Sequence, residues 1–324
     1  MFKKILVTGG NALVGTAIKS ITEDYPESKF VFIGSKECNL TKMTETYGFI
    51  KKCKPDALIH LAAVSGGIGL STKYPATILR ENVLMSINML EAARKLEINK
   101  VIMTLSSGMY PPTAPIPITE EEIHNGYPHE SNYSYSFAKR LIEPCIEAYR
   151  VEYGMNVIGL VPNGMFGEND NFNYNDAIMV PSLIRRFHEN KDSDEEIVIW
   201  GDGSPLREYT YSKDVAKIYM WCLLNYNDGQ IINIGSTEEH SVKEIAFMIA
   251  EKFNIDKKRI AFDTSKPKGV FRKSTDNSRF LKLSNFKYTP FKVGLEKTIK
   301  WYCDTYEKSY KSIRTYNKVK LDDR

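Results

Sequence analysis

Ile5-Leu-Val-Thr-Gly-Gly-Asn-Ala-Leu-Val-Gly15 reads as an apolar strand, a tight turn and the first turn of a helix. In that setting backbone amides and a helix N-terminus hold a pyrophosphate, and glycines let the chain come close to it. Thr8, Gly9, Gly10, Asn11, Ala12, Leu13, Val14 and Gly15 are therefore candidate cofactor contacts. The usual TGxxGxxG pattern has its middle glycine where this chain has Ala12, and the extra methyl is expected to crowd the phosphates. Outward from the turn, short β-branched runs at 4–8, 30–33, 57–61, 101–105 and 157–161 alternate with helical spacing at 13–24, 78–95 and 131–153. Pro144 predicts a local kink in the last of these helices. The alternation predicts an α/β fold with a doubly wound parallel sheet of the Rossmann type.

After Asn163 the regularity loosens. Residues 167–176 form a polar loop and 181–188 a short helix. The segments 197–200, 214–225 and 231–234 are expected to return to the sheet, whereas 242–253 and 295–306 suit helices of a smaller lobe. The predicted division is a nucleotide-binding domain over 1–163 with return segments at about 196–240, a mixed α/β substrate lobe over 164–195 and 241–310, and a flexible basic tail over 311–324.

With 324 residues, 42% of them hydrophobic, the chain can bury a full core. No stretch approaches the roughly 20 apolar residues of a membrane helix, and Met1-Phe-Lys-Lys leads into a strand rather than a signal peptide, so a cytoplasmic location is expected. Five scattered cysteines without a CxxC pair suit reduced thiols, and no metal site is expected. The net charge of +4, concentrated after Lys308, favours anionic small molecules over nucleic acid.

The second strand ends Phe32-Ile-Gly-Ser-Lys36 without the acidic residue that binds ribose hydroxyls in NAD sites. This favours NADPH, with Ser35 and Lys36 facing the extra phosphate, although Glu37 close by pulls the other way. Leu61, Ala62 and Ala63 are expected to line the groove from the third strand. Asn39, Leu40, Leu105 and Pro162 complete the candidate cofactor contacts.

The chemistry is carried by Thr104-Leu-Ser-Ser-Gly-Met-Tyr-Pro111 and Tyr135-Ser-Phe-Ala-Lys139. A tyrosine four residues before a lysine shares its helix face, so the ammonium can stabilise phenolate and tune proton transfer. The same spacing recurs at Tyr47/Lys51, Tyr209/Lys213 and Tyr288/Lys292. Position selects Tyr135, because only that pair opens the long helix after the fourth strand, downstream of serines at a strand's carboxyl end. Ser106, Tyr135 and Lys139 are the candidate catalytic residues.

At these residues the chain resembles the extended short-chain dehydrogenase/reductases, and among them the GDP-L-fucose synthases, NADPH-dependent epimerase-reductases of GDP-4-keto-6-deoxymannose. The resemblance runs nearly end to end through TGGNALVG at 8–15, SKECNLT at 35–41, HLAA at 60–63, HNGYPHESNYSYSFAKR at 124–140, ENDNFN at 168–173, WGDGSPLREYTYSKDVA at 200–216 and FDTSKPKGVFRK at 262–273. It implies that Ser106 hydrogen-bonds the carbonyl, Tyr135 delivers a proton and Lys139 holds the nicotinamide ribose. It also implies that Arg186, Trp200, Arg207 and Lys273 bind the substrate, alongside Ser107, Gly108, Asn163 and Ile178. A homodimer built from the helices over 78–95 and 131–153, and a place in surface polysaccharide synthesis, follow from the same resemblance.

Three departures matter. Gly108 stands where the family has its epimerase cysteine, and Ile178 where it has the partner histidine. Removing and returning a proton beside a ketone needs a base and an acid, and neither residue is either. Gly164 replaces an asparagine, which is expected to enlarge or rewire the pocket. The combined reading is an NADPH-dependent reductase of a GDP-4-keto sugar, a 6-deoxyhexose or a heptose, that does not epimerise carbons 3 and 5. Its rivals are the full epimerase-reductase, using Ser107, Asn163 or a water, and a nucleotide-binding sensor or partner subunit without turnover.

Overall fold

The computed structural model describes residues 1–174, 177–266 and 270–315. Its strands are β1 (Lys4–Thr8), β2 (Lys29–Ile33), β3 (Ala57–His60), β4 (Lys100–Thr104), β5 (Val157–Val161), β6 (Gly164–Phe166), β7 (Ile197–Trp200), β8 (Leu206–Tyr211), β9 (Ile232–Asn233), β10 (Glu239–Ser241) and β11 (Ile260–Asp263). The main sheet runs β2-β1-β3-β4-β5-β9. All its pairings are parallel, with Ile5 opposite Ala57 and Ile102 opposite Ile158. Helices cover both faces, so every residue of β4 and β5 is buried, which is why these strands read as unbroken apolar runs. The doubly wound sheet expected from the sequence is present.

Pro144 acts three residues upstream of itself. The helix expected over 131–153 is two, Tyr133–Arg140 and Ile142–Tyr153, with the break at Leu141. Proline has no N–H to give the carbonyl four residues earlier, that of Arg140, and the ladder opens there.

The segment 197–200 does not return to the main sheet. β7 pairs instead with β11 in a two-stranded parallel sheet of the smaller lobe. Its burial alternates, Ile197 and Ile199 inward and Val198 and Trp200 outward, which suits a sheet covered on one face and not one covered on both. The return to the main sheet comes later, through the helix Ser212–Asn225, which packs against the helix Leu13–Lys19, and then β9. Between these, β10-β8-β6 form a three-stranded sheet that joins the lobes.

The tail is also more ordered than its composition suggests. Ile313 is 3% exposed within the lobe's core, and the carbonyls of Arg314 and Thr315 accept from Phe172 N at 2.8 Å and Asn173 Nδ2 at 2.7 Å. One buried isoleucine anchors residues 311–315; the rest of the expected tail, 316–324, lies outside the described residues. Among the described residues no helix is long and apolar enough to cross a membrane.

Candidate active site

The glycine turn is packed from three sides. Gly9 has φ +67°, and a Cβ added there would lie 3.0 Å from Ala62 N. A Cβ on Gly10 would lie 2.6 Å from the Phe32 side chain, and one on Gly15 would lie 2.4 Å from Gly9 O. The ends of β1, β2 and β3 thus meet at one crevice, between strands whose connections diverge. Ala12, extended before the helix, closes the turn by donating its N–H to Gly9 O at 2.9 Å.

Several candidate contacts have their side chains bonded or packed within the protein. Thr8 is fully buried, and its hydroxyl accepts from Leu61 N and Ala62 N at 3.2 Å each. That leaves its proton for His60 Nδ1 at 2.9 Å, so Thr8 braces two strand ends. His60 stays neutral: burial and then the nearby Lys139 charge hold it down at about 3. The side chains of Leu13, Val14, Leu40 and Leu105 are buried, so these residues offer only backbone to a ligand. Asn39 accepts from Thr41 N and Oγ1, closing its own turn. Ser35 and Lys36 are exposed beyond β2, while Glu37 turns back to accept from Gly34 N at 2.7 Å.

The three candidate catalytic side chains come together. Ser106 leaves β4 and caps a short turn, its Oγ accepting from Gly108 N at 3.1 Å. Tyr135 meets the Ser106 hydroxyl from the opposing helix; burial pushes its phenol up to about 12, and the serine's hydrogen bond works against that rise. Lys139, 2% exposed, donates to Thr104 O at 2.8 Å, and its ammonium lies 5.8 Å from the Tyr135 ring centre. Burial brings Lys139 down to about 8. Thr104 is itself held by Tyr219, whose hydroxyl donates to Thr104 Oγ1 at 2.9 Å. Sequence reasoning missed that support, because Tyr219 sits on a helix more than a hundred residues away with no local signal.

Around this cluster the departures take physical form. A Cβ on Gly108 would stand 3.2 Å from Ser106 Oγ, so position 108 faces the candidate catalytic serine and offers it no side chain. Ile178 precedes the helix Met179–Glu189 and packs on the lobe's core. Gly164 does not enlarge the pocket, because the Tyr209 ring occupies its side-chain space, 2.7 Å from an added Cβ. Asn163 is turned inward: its amide donates to Ser236 O at 2.7 Å and Glu208 Oε2 at 3.2 Å, and its carbonyl accepts from Thr210. That side chain is bonded within the protein at both its amide and its carbonyl.

Of the four basic and aromatic substrate candidates, the structure brings Arg207 and Lys273 together and adds Arg140. Burial first, then the charges of Arg207 and Arg140, bring Lys273 down to about 8. Arg207 Nη1 donates to Leu206 O at 2.7 Å and Val270 O at 2.8 Å, and Arg140 Nη1 donates to Gly126 O at 2.7 Å. Both arginines therefore have backbone partners, while no salt bridge reaches Lys273 among the described residues. Converging, partly buried cations ask for an anion. Arg186 donates to the carbonyl of Val198 on β7, whose last residue Trp200 is 62% exposed.

The NAD dependent epimerase/dehydratase family matches residues 5–235. The chain is 35% identical to a probable GDP-L-fucose synthase of Drosophila melanogaster over 95% of its own length and 100% of that protein's. A GDP-L-fucose synthetase from Naegleria fowleri bound to NADP superposes with a TM-score of 0.89 at 33% identity, covering 97% of this chain and 95% of that one. A GDP-mannoheptose C4 reductase from Campylobacter jejuni with NADP bound gives 0.83 at 25% identity over 93% and 98%. The chain therefore belongs to the NAD dependent epimerase/dehydratase family and, within it, to the group of the GDP-L-fucose synthases.

Proposed function

We propose that the protein is an NADP(H)-dependent oxidoreductase of a GDP-linked sugar, and more narrowly a reductase of a GDP-4-keto sugar, 6-deoxyhexose or heptose, that leaves carbons 3 and 5 unepimerised. The observation that carries the reading is the Ser106–Tyr135–Lys139 cluster with a glycine facing its serine. The residues fit a dinucleotide. Gly9, Gly10 and Gly15 leave room where a Cβ would strike backbone or a packed ring, and the buried Lys139 ammonium is bonded, among the described residues, to the Thr104 carbonyl alone. Glu37's engagement with Gly34 N, beside exposed Ser35 and Lys36, supports NADP over NAD. The same preference is supported by the relatives solved with NADP.

The bound dinucleotide supplies a hydride. This chain's residues handle the oxygen: Ser106 donates to the substrate carbonyl, and Tyr135 gives its proton to the forming alkoxide. A phenol pushed up to about 12 stays protonated at neutral pH, ready to act as the acid. Lys139 steadies the phenolate left behind and would hold the ribose. Arg207 and Lys273 take the diphosphate, with Arg186 and Trp200 as further contacts for nucleotide or sugar.

A second reading, the complete 3,5-epimerase/4-reductase, is favoured by kinship, since relatives at 33% and 35% identity are named GDP-L-fucose synthase and probable GDP-L-fucose synthase. The residues at 108 and 178 favour the first reading, and the Campylobacter C4 reductase shows the fold serving a reductase. The deciding experiment mixes protein, NADPH and GDP-4-keto-6-deoxymannose in deuterated water and reads the product by NMR. Cofactor oxidation with no deuterium at carbons 3 and 5 is expected; GDP-fucose deuterated there would establish the second reading. NADPH that stays unoxidised, though bound, would favour the sensor.

We also propose a homodimer and a cytoplasmic location. The dimer is supported by exposed Leu79 and Leu84 on the helix Pro75–Lys95 and by Tyr133 and Leu141 beside it, the location by five unpaired cysteines. Light scattering is expected to give twice the 37.0 kDa chain mass, and a monomer at micromolar concentration would count against pairing.

A further inference from the structure

We propose that Glu208 and Glu239 are positioning residues for the substrate's diphosphate: opposite each other on β8 and β10, they grip the residues on both sides of Lys273 and so set its ammonium beside Arg207 and Arg140. The inference rests on the GDP-sugar reading above. Glu239 and Glu208 are register partners. Glu239 takes Arg272 through a two-pronged contact, Nε to Oε1 at 2.8 Å and Nη2 to Oε2 at 2.6 Å, and also accepts from the Ser274 hydroxyl. Glu208 Oε2 accepts from Thr275 N at 3.1 Å and Thr275 Oγ1 at 3.2 Å. Residues 272, 274 and 275 are thus pinned, while Lys273 between them takes part in none of these bonds. Apart from one backbone bridge to Ile118 at Thr275 the segment is irregular, so side chains supply the order around residues 272 and 273 that a helix or strand ladder would otherwise give.

That grip opposes a real force. Lys273 is partly buried within the repulsion of Arg140 and of Arg207, whose guanidinium is tied to the carbonyls of Val270 and Phe271 on the same segment, and burial together with that repulsion favours a conformation in which its long side chain swings out to water. Holding the flanks keeps the ammonium inside before an anion arrives, so the ordering is done before binding. Glu208 has a cost of its own: it is 6% exposed, its Oε1 is buried without a partner, and burial pushes it up to about 7. A half-satisfied buried carboxyl is destabilising, which points to a role beyond stability. Glu239, by contrast, is held low by Arg272 and is ionised at neutral pH.

Glu239→Gln and Arg272→Ala test this in the full chain. Each is expected to raise the Kd for GDP, measured by calorimetry, and the KM for the sugar nucleotide by about tenfold, with kcat and NADPH affinity within about twofold of wild type. A second signature separates positioning from loosening. Lys273 faces Arg207 from β8 and Arg140 from the helix Tyr133–Arg140, with Glu239 and Glu208 behind its flanks. In the wild type, GDP affinity should fall as pH rises through about 8, where Lys273 loses its proton; in the variants the ammonium is released to water and that fall should move to higher pH. Arg272 is a surface residue, so its variant folds even if the Glu239 variant does not. Unchanged GDP affinity in both variants overturns the inference, as does a parallel loss of GDP affinity, NADPH affinity and melting temperature. Wild-type protein that binds no GDP sinks the functional reading and the inference with it, whereas wild-type binding matched by the variants sinks the inference alone.

Discussion

Tyr135→Phe is expected to lower kcat for ketone reduction by about a thousandfold, within the range that removing a positioned acid produces, while NADPH and GDP bind as before. The change removes one hydroxyl whose partner is Ser106. Ser106 keeps its bond from Gly108 N and the ring keeps its packing, so melting should shift little. The pH profile carries a companion expectation. Lys139 lies at about 8 because burial disfavours its charge, so its charged form dominates below that value and is lost above it. Wild-type kcat should therefore decline as pH rises through about 8. A Tyr135→Phe protein retaining a tenth of the wild-type rate would remove the tyrosine from the proton path and return the acid's role to Ser106 or to solvent.

Gly15→Ala should abolish cofactor binding at micromolar NADPH and lower stability by about 2–4 kcal/mol. The added Cβ would stand 2.4 Å from Gly9 O and 2.6 Å from Gly10 Cα, closer than such atoms approach, and both neighbours are backbone that cannot rotate away. The turn must open or the helix Leu13–Lys19 must lift from it, and either change displaces the amides that face the phosphates. Chemical denaturation and NADPH fluorescence titration measure the two effects. Gly48→Ala is the matched control, since a Cβ there meets nothing within 4 Å. Tight NADPH binding by Gly15→Ala would mean that the dinucleotide does not lie on this turn.

The two expectations differ in how far the sequence alone carried them. Tyr135 and Lys139 were legible because helix periodicity is local: four residues place two side chains on one face whatever the surroundings. The glycine turn was legible for the same reason, a strand, a tight bend and a helix start within eleven residues. Ile197–Trp200 was misplaced because a four-residue apolar segment does not name its partner; only the alternation of inward Ile197 and Ile199 with outward Val198 and Trp200 hinted at a one-sided sheet. Asn163 was read as a substrate contact, yet its bonds go to Ser236, Glu208 and Thr210, residues 45 to 73 positions away that no local pattern connects to it.

By itself, then, the sequence determined the doubly wound sheet, the strand, tight turn and helix start at 5–15, the sharing of one helix face by Tyr135 and Lys139 downstream of Ser106, and the want of any titratable side chain at Gly108 and Ile178. These depend on residue identity and on contacts within a few positions. Only the tertiary structure decided that Tyr219 and Thr104 hold Lys139, that the Thr8 hydroxyl braces the end of β3, and that Tyr209 fills the space left at Gly164. The gathering of Arg140, Arg207 and Lys273 belongs there too. Burial and charge convergence join residues from strands and helices far apart in the chain, and the energies that shift a lysine from its ordinary range to about 8 exist only once those surfaces have closed around it.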